Sequence, residues 1–312
     1  MSSSVTTHRP KYVLWLLLTT LFWGGSFVVN KIGFRELPPV LFLFLRFTLA
    51  TLIMGLVCGR RLGRLDRRTI RKGVLVGLAL AAANLTFVLG VSGTSATRAG
   101  FLNNLFVLNV PLISYALWRE RLERVTLVGV VVASAGLWFM AQGGVEGFNR
   151  GDLFSTVCSL FIALHIITVS RLLGDEDIFL LSLVQFATVA VVGGVATALV
   201  HPVVATIGPV SWWALLYCAL FPTVLCFTLQ NRYQRFTTPT QAGLIYTLDP
   251  VWSMLGGMLL LGERLTGPEL SGCILILAAV AGPLLARLLR ERRGVNYYLV
   301  LERDAKLSNK SK

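Results

Sequence analysis

The feature that most limits how this chain can fold is a series of ten long apolar stretches, separated by short segments rich in charge, proline or glycine. A helix needs about 20 mainly apolar residues to cross the hydrocarbon core of a bilayer, and each stretch is close to that length. Charged residues make up 14% of the chain, against about 25% in soluble proteins. So few charges cannot cover a soluble protein of 312 residues, and the pattern predicts an all-α integral membrane protein.

The connections between the predicted helices are short, and no soluble domain fits between them. A polar segment, residues 1–11, precedes the first helix, and a basic tail, residues 290–312, follows the last; we expect both in the cytoplasm. The ten predicted transmembrane helices cover residues 12–32, 39–59, 73–92, 95–118, 125–142, 152–171, 178–200, 211–231, 238–261 and 267–289.

The positive charges predict the orientation, because Lys and Arg concentrate in cytoplasmic loops. With ten helices and the N-terminus in the cytoplasm, 23 of the 29 Lys and Arg residues fall on the cytoplasmic side, 5 fall on the other side, and Arg46 lies within a helix. A net charge of +14 would indicate nucleic acid as the partner of a soluble protein, but here topology explains it. We therefore expect the lipid bilayer as the surroundings and no nucleic-acid partner.

The chain contains an internal repeat. When the sequence is shifted by 143 residues, segment 94–135 matches segment 237–278 at 13 of 42 positions, including the triplets Glu120-Arg121-Leu122 and Glu263-Arg264-Leu265. The predicted halves are therefore residues 12–142 and 152–289, with five helices each. Because five is odd, the second half must insert upside down relative to the first, which is the plan of many secondary transporters.

Several segments resemble the EamA-type ten-helix members of the drug/metabolite transporter superfamily. The similar segments are 22–28 (FWGGSFV) in the first helix, 44–47 (FLRF) in the second, and 248–251 (LDPV) with 260–265 (LLGERL) at the ninth. The resemblance implies a carrier of amino acids, metabolites or drugs, often an exporter, which is facilitative or driven by protons or another gradient. We expect the protein in a bacterial inner membrane. A homodimer is one candidate assembly.

Charged residues inside the predicted helices are the first candidates for a binding site, since a charge in hydrocarbon must face the bundle or a cavity. Arg46 lies near the middle of the second helix and could bind a substrate carboxylate, or could instead lock helices by bonding carbonyls. Asp249 could accept a proton or a substrate amine, or could cap a helix that Pro250 interrupts. Tyr246 shares the face of Asp249, three residues before it.

Uncharged polar and aromatic residues at the same depth complete the predicted substrate-binding set. Amide side chains there suit hydrogen bonds to a polar solute, but they can equally join helices. Trp23 could wall a cavity or simply pack, and a lone histidine could relay protons or act as a neutral hydrogen-bonding group. The nine predicted residues are Trp23, Asn30, Arg46, Asn84, Asn103, Asn104, His165, Tyr246 and Asp249.

Other classes of membrane protein remain open from the sequence. The five cysteines lie in apolar stretches without a Cys-x-x-Cys pair, so no metal or other cofactor is expected. Motifs of hydrolases and metalloproteases are absent from the sequence, although a dyad of His165 and Asp249 would be compatible with an intramembrane enzyme. A channel or a receptor is the other alternative. Saturable flux with counterflow would distinguish a carrier from all of them.

Overall fold

The computed structural model describes residues 9–94, 96–119, 124–141, 149–202, 207–261, 267–268, 270–282 and 285–286. These residues form helices and turns, with no strand among them. Glu120 and Glu263 of the repeated triplet lie outside the described residues, as do the basic tail and the first eight residues.

In the described part of the chain, helical segments lie at each of the ten predicted positions. The continuous ones are α1 (Arg9–Gly33), α2 (Pro39–Cys58), α3 (Arg67–Gly93), α5 (Arg124–Ala141), α6 (Arg150–Leu172), α7 (Ile178–Val200) and α10 (Leu270–Gly282). The interrupted ones are α4 (Ala96–Asn104 and Phe106–Trp118), α8 (Pro209–Cys218, a π-helical turn Ala219–Leu225, and Cys226–Tyr233) and α9 (Pro239–Tyr246 and Asp249–Leu261).

Seven of the helical stretches in the described part of the chain are long and apolar enough to cross a membrane. The segments α5 and α10 contain shorter apolar helices, 124–139 and 270–282, and α9 is divided by its break. The composition of these helices makes the protein a multi-pass integral membrane protein.

The start of α3 differs from its prediction. The sequence predicts a charged loop up to Lys72, but the helix begins at Arg67, after a short 3₁₀ helix, Gly59–Arg64. Asp66 caps the helix by accepting a hydrogen bond of 2.9 Å from the backbone N–H of Thr69. The cap satisfies one of the orphan amides of the first turn, so the basic residues extend the helix beyond its apolar part.

The two halves are inverted relative to each other, as predicted. The equivalent helices α2 and α7 run antiparallel: Thr197, late in α7, donates to the carbonyl of Val40, early in α2, at 3.3 Å. At the other end of the same pair, Arg61 just beyond α2 lies 3.8 Å from Asp177, which precedes α7. Gly193 packs against Phe44 between these points, where its missing side chain permits a close approach.

Helices α4 and α9 also cross antiparallel, and their breaks are equivalent. The first part of α4 contacts the second part of α9, and the second part of α4 contacts the first part of α9. The break in α4 falls at Leu105, and the 143-residue shift relates Leu105 to Leu248 in the break of α9. Pro250 predicts the second break, whereas no residue of α4 predicts the first one.

The loops collect at two ends, which we call the basic end and the opposite end. At the basic end, Glu176 in the α6–α7 loop contacts Lys72 at 2.5 Å and Arg68 at 3.2 Å. At the opposite end, Glu36 in the α1–α2 loop accepts hydrogen bonds from Ser211 at 2.6 Å and from the N–H of Gly208 at 3.0 Å. The loops of the basic end are those that carry most of the counted Lys and Arg.

Candidate functional site

A cavity of about 120 Å³ lies near the middle of the bundle, walled by α1, α2, α3, α4, α6, α8 and α9. Because one water molecule requires roughly 10–15 Å³ by the same measure, the cavity has room for a small solute. Eight of the nine residues predicted from the sequence line its wall: Trp23, Arg46, Asn84, Asn103, Asn104, His165, Tyr246 and Asp249.

Arg46 brings a positive charge to this wall. Its side chain is 4% exposed, and its Nε donates a hydrogen bond of 2.7 Å to the hydroxyl of Thr223. That hydroxyl in turn donates to the carbonyl of Cys218 at 2.7 Å, within the π-helical turn of α8. Among the described residues no carboxylate lies within ion-pair distance of Arg46. The terminal N–H groups of the guanidinium are therefore available to an anionic group in the cavity.

Asp249 brings a carboxyl group to the same cavity. It opens the second part of α9, directly after the break at residues 247–248. Its Oδ1 atom is buried and has no hydrogen-bond partner among the described residues, and no ion pair joins it to Arg46. A buried carboxyl oxygen without a donor is unusual in a folded protein, so Asp249 is ready to receive a proton or a cationic group.

Three asparagines add amide groups. Both side-chain polar atoms of Asn103 are buried without a partner among the described residues, as is Oδ1 of Asn104. The Nδ2 atoms of Asn104 and Asn84 donate within their own helices, to the carbonyls of Gly100 at 2.8 Å and Leu80 at 3.0 Å. Because these bonds stay within single helices, these two amides do not join helices through them, and Asn103 has no such bond to any residue that the structure describes.

Aromatic rings form another part of the wall. The ring of Trp23 lies 5.3 Å from the ring of Phe227 and 5.2 Å from that of Tyr246, measured between centroids. Its Nε1 donates to the carbonyl of Pro222 at 2.9 Å, which fixes the indole. The hydroxyl of Tyr246 donates to Oε1 of Gln234 at 3.0 Å. These rings offer an apolar surface of fixed shape.

His165 lies in a chain of side-chain hydrogen bonds. Its Nε2 lies 3.0 Å from Nε2 of Gln185, and Oε1 of Gln185 accepts from Asn231 at 2.6 Å. Because the Gln185 nitrogen is a donor, Nε2 of the imidazole accepts and carries no proton in this arrangement. The contact favours the neutral hydrogen-bonding role of His165, and no hydrogen bond joins it to Asp249 among the described residues.

Asn30 is the ninth predicted residue, and the structure does not bring it to the cavity wall. Its Nδ2 donates to the carbonyl of Ser26 at 2.7 Å, one turn earlier, and its Oδ1 lies 4.0 Å from the thiol sulfur of Cys218. The amide is thus fully buried in the α1–α8 contact. Its prediction as a substrate ligand rested on helical spacing alone, and we do not carry it into the site.

The structure adds wall residues that the sequence did not single out. They are mainly apolar, and phenylalanines are frequent throughout the chain, so no pattern distinguished these from lipid-facing ones. The principal additions are Ser26, Phe27, Phe87, Phe106, Phe227 and Gln230.

The profile of the EamA-like transporter family matches residues 10–142 and 149–284, which correspond to the two halves. The chain belongs to the EamA-like transporter family. This EamA-like protein is therefore a transporter built from two EamA repeats, in a family of transporters and not of enzymes. The family assigned by resemblance from the sequence is confirmed.

Relatives of this EamA-like protein are also transporters by name. An uncharacterized transporter of Archaeoglobus fulgidus is 29% identical and covers 86% of this chain and 83% of its own. A probable amino-acid metabolite efflux pump of Escherichia coli is 24% identical, covering 85% and 91%. The threonine/homoserine exporter RhtA of Salmonella typhimurium is 26% identical, covering 88% and 90%.

The fold also has a counterpart among solved structures. One crystal structure superposes with a TM-score of 0.74 at 20% sequence identity, covering 90% of this chain and 99% of that one. At this identity the likeness concerns the fold alone.

Proposed function

We propose that this protein exports small zwitterionic metabolites, such as amino acids, by alternating access. The observation that carries the proposal is that an arginine and an aspartate, Arg46 and Asp249, line one cavity without an ion pair between them. Isolated charges are unfavourable inside a membrane protein. A zwitterion would present its carboxylate to Arg46 and its ammonium group to Asp249, and would so compensate both charges.

The remaining wall supports a solute of this kind. The unpartnered amide atoms of Asn103 and Asn104 can bond the polar part of a solute, since an unpaired buried amide is costly. The rings of Trp23 and Tyr246 lie near each other and can hold its side chain. The printed names of the two relatives above, an amino-acid metabolite efflux pump and a threonine/homoserine exporter, agree with an amino-acid-like cargo and with export.

Two inverted halves around a central site provide a route for alternating access, because they can exchange conformations. Transport against a concentration gradient requires an energy source, and we propose Asp249 as the group that exchanges a proton for this purpose. By the positive-inside rule the basic end faces the cytoplasm, together with both termini. The bacterial inner membrane and the homodimer remain predictions from the sequence.

The experiment that tests the proposal is ligand binding measured by thermal shift, since a ligand stabilises the folded state by mass action. Each amino acid is compared with its decarboxylated amine and its deaminated acid. A hydrogen bond to a charged group contributes about 1.5–3 kcal/mol, so each analogue should bind on the order of tenfold more weakly or worse. Equal binding of the amino acid and its amine would contradict the proposal.

A variant pair assigns the preference to Arg46. Arg46→Gln should remove the preference for the amino acid over the amine, because the cationic partner of the carboxylate is gone. Thr223→Val is the matched control: it removes the hydroxyl that bonds Nε of Arg46 and the carbonyl of Cys218, but it retains the charge of Arg46. It should keep the preference, at reduced affinity. The same loss of preference in both variants would mean that the position of the side chain, and not its charge, is decisive.

A further inference from the structure

A fully buried glutamine, Gln234, lies between the cavity and the basic end, on the short 3₁₀ helix Gln234–Phe236 that follows α8. Its Oε1 accepts hydrogen bonds from Nε2 of Gln230 at 2.7 Å and from the hydroxyl of Tyr246 at 3.0 Å. Its Nε2 donates to the carbonyl of Ile166 at 2.6 Å and to the hydroxyl of Ser170 at 2.8 Å. One carboxamide therefore joins α6, α8 and α9.

These four bonds use the full hydrogen-bonding capacity of the carboxamide, two N–H donors and two lone pairs. Three of its partners, Gln230, Tyr246 and Ile166, belong to residues that line the cavity. Any motion that separates α6 from α8 and α9 breaks some of the bonds and leaves buried polar groups without partners. The bonds of Gln234 thus hold these three cavity-lining residues in one defined arrangement.

The repeat-related residues at the opposite end of the cavity have different chemistry. The repeat shift of 143, carried back along the chain, relates Gln234 to Val91 and Gln230 to Phe87. Val91 packs in an apolar cluster with Phe27, and the ring of Phe27 lies 5.2 Å from that of Phe87. Apolar contacts are non-directional and tolerate small displacements, whereas hydrogen bonds depend on distance and angle.

A second layer of contacts covers Gln234 from outside. Arg235 donates to the carbonyl of Gly174 in the α6–α7 loop. The ring of Tyr12 from α1 stacks on Phe236 at 4.4 Å and on Tyr233 at 5.8 Å. Gln234 therefore lies between the residues that line the cavity and these outer contacts of the basic end.

We propose that Gln234 is the gate residue of the basic end, and that opening this end requires its bonds to Ile166 and Ser170 to break. This inference rests on the proposed carrier function. It also links the gate to the binding site, because Tyr246 lines the cavity and donates to Gln234 through the same hydroxyl. A solute that accepts this bond from Tyr246 loosens Gln234 and favours opening of the basic end.

The test uses a thiol inside the cavity as a reporter of access. Ser26 lines the cavity, whereas none of the five native cysteines does and all five are buried. In the Ser26→Cys protein, the rate of reaction with a membrane-impermeant thiol reagent is measured in oriented vesicles, with the reagent on the basic-end side or on the opposite side. The protein that retains Ser26 gives the background rate.

Two serine-to-alanine variants on α6 provide a matched comparison. Ser170→Ala removes one of the Gln234 bonds and should raise labelling from the basic-end side about threefold, which corresponds to about 0.6 kcal/mol. Ser159→Ala removes a bond of similar length, 2.8 Å from Asn109, away from the gate, and should leave the rate unchanged. Gln234→Leu removes all four bonds and should raise the rate on the order of tenfold or more.

Equal labelling rates in Ser170→Ala and Ser159→Ala would overturn the gate assignment, and so would an equal rise from both sides of the membrane. Ser170→Ala keeps the test decisive if Gln234→Leu does not fold. Counterflow of labelled amino acids is measured with the unsubstituted protein in the same vesicles. Its absence would refute the carrier function, whereas its presence with unchanged labelling in Ser170→Ala would refute only the gate.

Discussion

Gly24 lies where α1 crosses α9 beside the binding cavity, and its replacement by alanine should separate the two helices. A Cβ atom at Gly24 would lie 2.6 Å from Cβ of Trp252 and 3.1 Å from the backbone N of Ser253, and it would also press on the carbonyl oxygen of Asp249. Non-bonded carbon atoms normally stay about 3.5–4.0 Å apart. The helices must therefore move apart by about 1 Å, and overpacking of this kind costs about 1–3 kcal/mol.

Gly25 provides the matched control, one residue further along α1. A Cβ atom there would meet only the hydroxyl oxygen of Tyr217, at 3.3 Å, at the end of a side chain that can move. Since alanine favours a helix over glycine by about 1 kcal/mol, Gly25→Ala should be neutral or slightly stabilising. Because both variants gain the same helix propensity, that term cancels, and the two should differ by about 1–3 kcal/mol, the overpacking cost alone.

Thermal unfolding in detergent, with and without a bound amino acid, measures this difference. Gly24→Ala should melt several degrees below the unsubstituted protein and lose most of the ligand-induced shift, because Asp249 is displaced. Gly25→Ala should keep both the melting temperature and the shift. Equal melting temperatures and equal ligand shifts in the two variants would refute the α1–α9 packing described above.

Three further predictions concern single charges and bonds. Asp249→Asn should abolish the pH dependence of transport in proteoliposomes, and a variant that retains it would remove Asp249 from proton exchange. Burial tends to raise the pKa of the Glu176 carboxyl, but the hydrogen bonds from Lys72 and from the backbone N–H of Gly174, together with the charge of Lys72, outweigh this and lower the pKa below its ordinary value. The resulting stability is present above the unfolded pKa of about 4.3 and is lost as pH falls through the lower folded pKa. The melting temperature should accordingly fall more in acid than that of Glu176→Gln, and parallel curves would contradict the ion pair. Trp23→Phe removes the bond to Pro222 and should lower the unfolding free energy by about 0.6–2 kcal/mol; an unchanged melting temperature would argue against that bond.

Much of the fold could be predicted because the membrane imposes strict rules on the sequence. The lengths of the apolar stretches predict the helices. The distribution of Lys and Arg assigns to one side of the membrane the loops that the structure describes at the basic end. The break at Leu105 could not be predicted, since no proline or glycine stands there to interrupt α4. Only its equivalence to Leu248, which precedes Pro250, identifies it in retrospect. The extension of α3 was missed because arginines after Asp66 resemble a loop.

The sequence could predict those site residues whose polar side chains would be costly to expose to lipid. Arg46 and Asp249 had to face the interior, and the structure brings both to one cavity. Asn30 is also a polar residue within a predicted helix, but its side-chain amide donates to the carbonyl of Ser26 on its own helix. Gln234 was not selected, because polar residues are ordinary near the end of a transmembrane helix. Phe87 was not selected either, because a ring in a cavity and a ring in lipid follow the same sequence pattern.

In the proposed mechanism, a small zwitterion binds in the cavity and is carried across the membrane by exchange between two conformations. Counterflow in proteoliposomes tests it most directly: vesicles are loaded with an unlabelled amino acid, and entry of the labelled amino acid is followed over time. The proposed mechanism predicts saturable accumulation that overshoots and then decays, and that is lost in Arg46→Gln. Flux that rises linearly with concentration and shows no overshoot would contradict a carrier and indicate a channel.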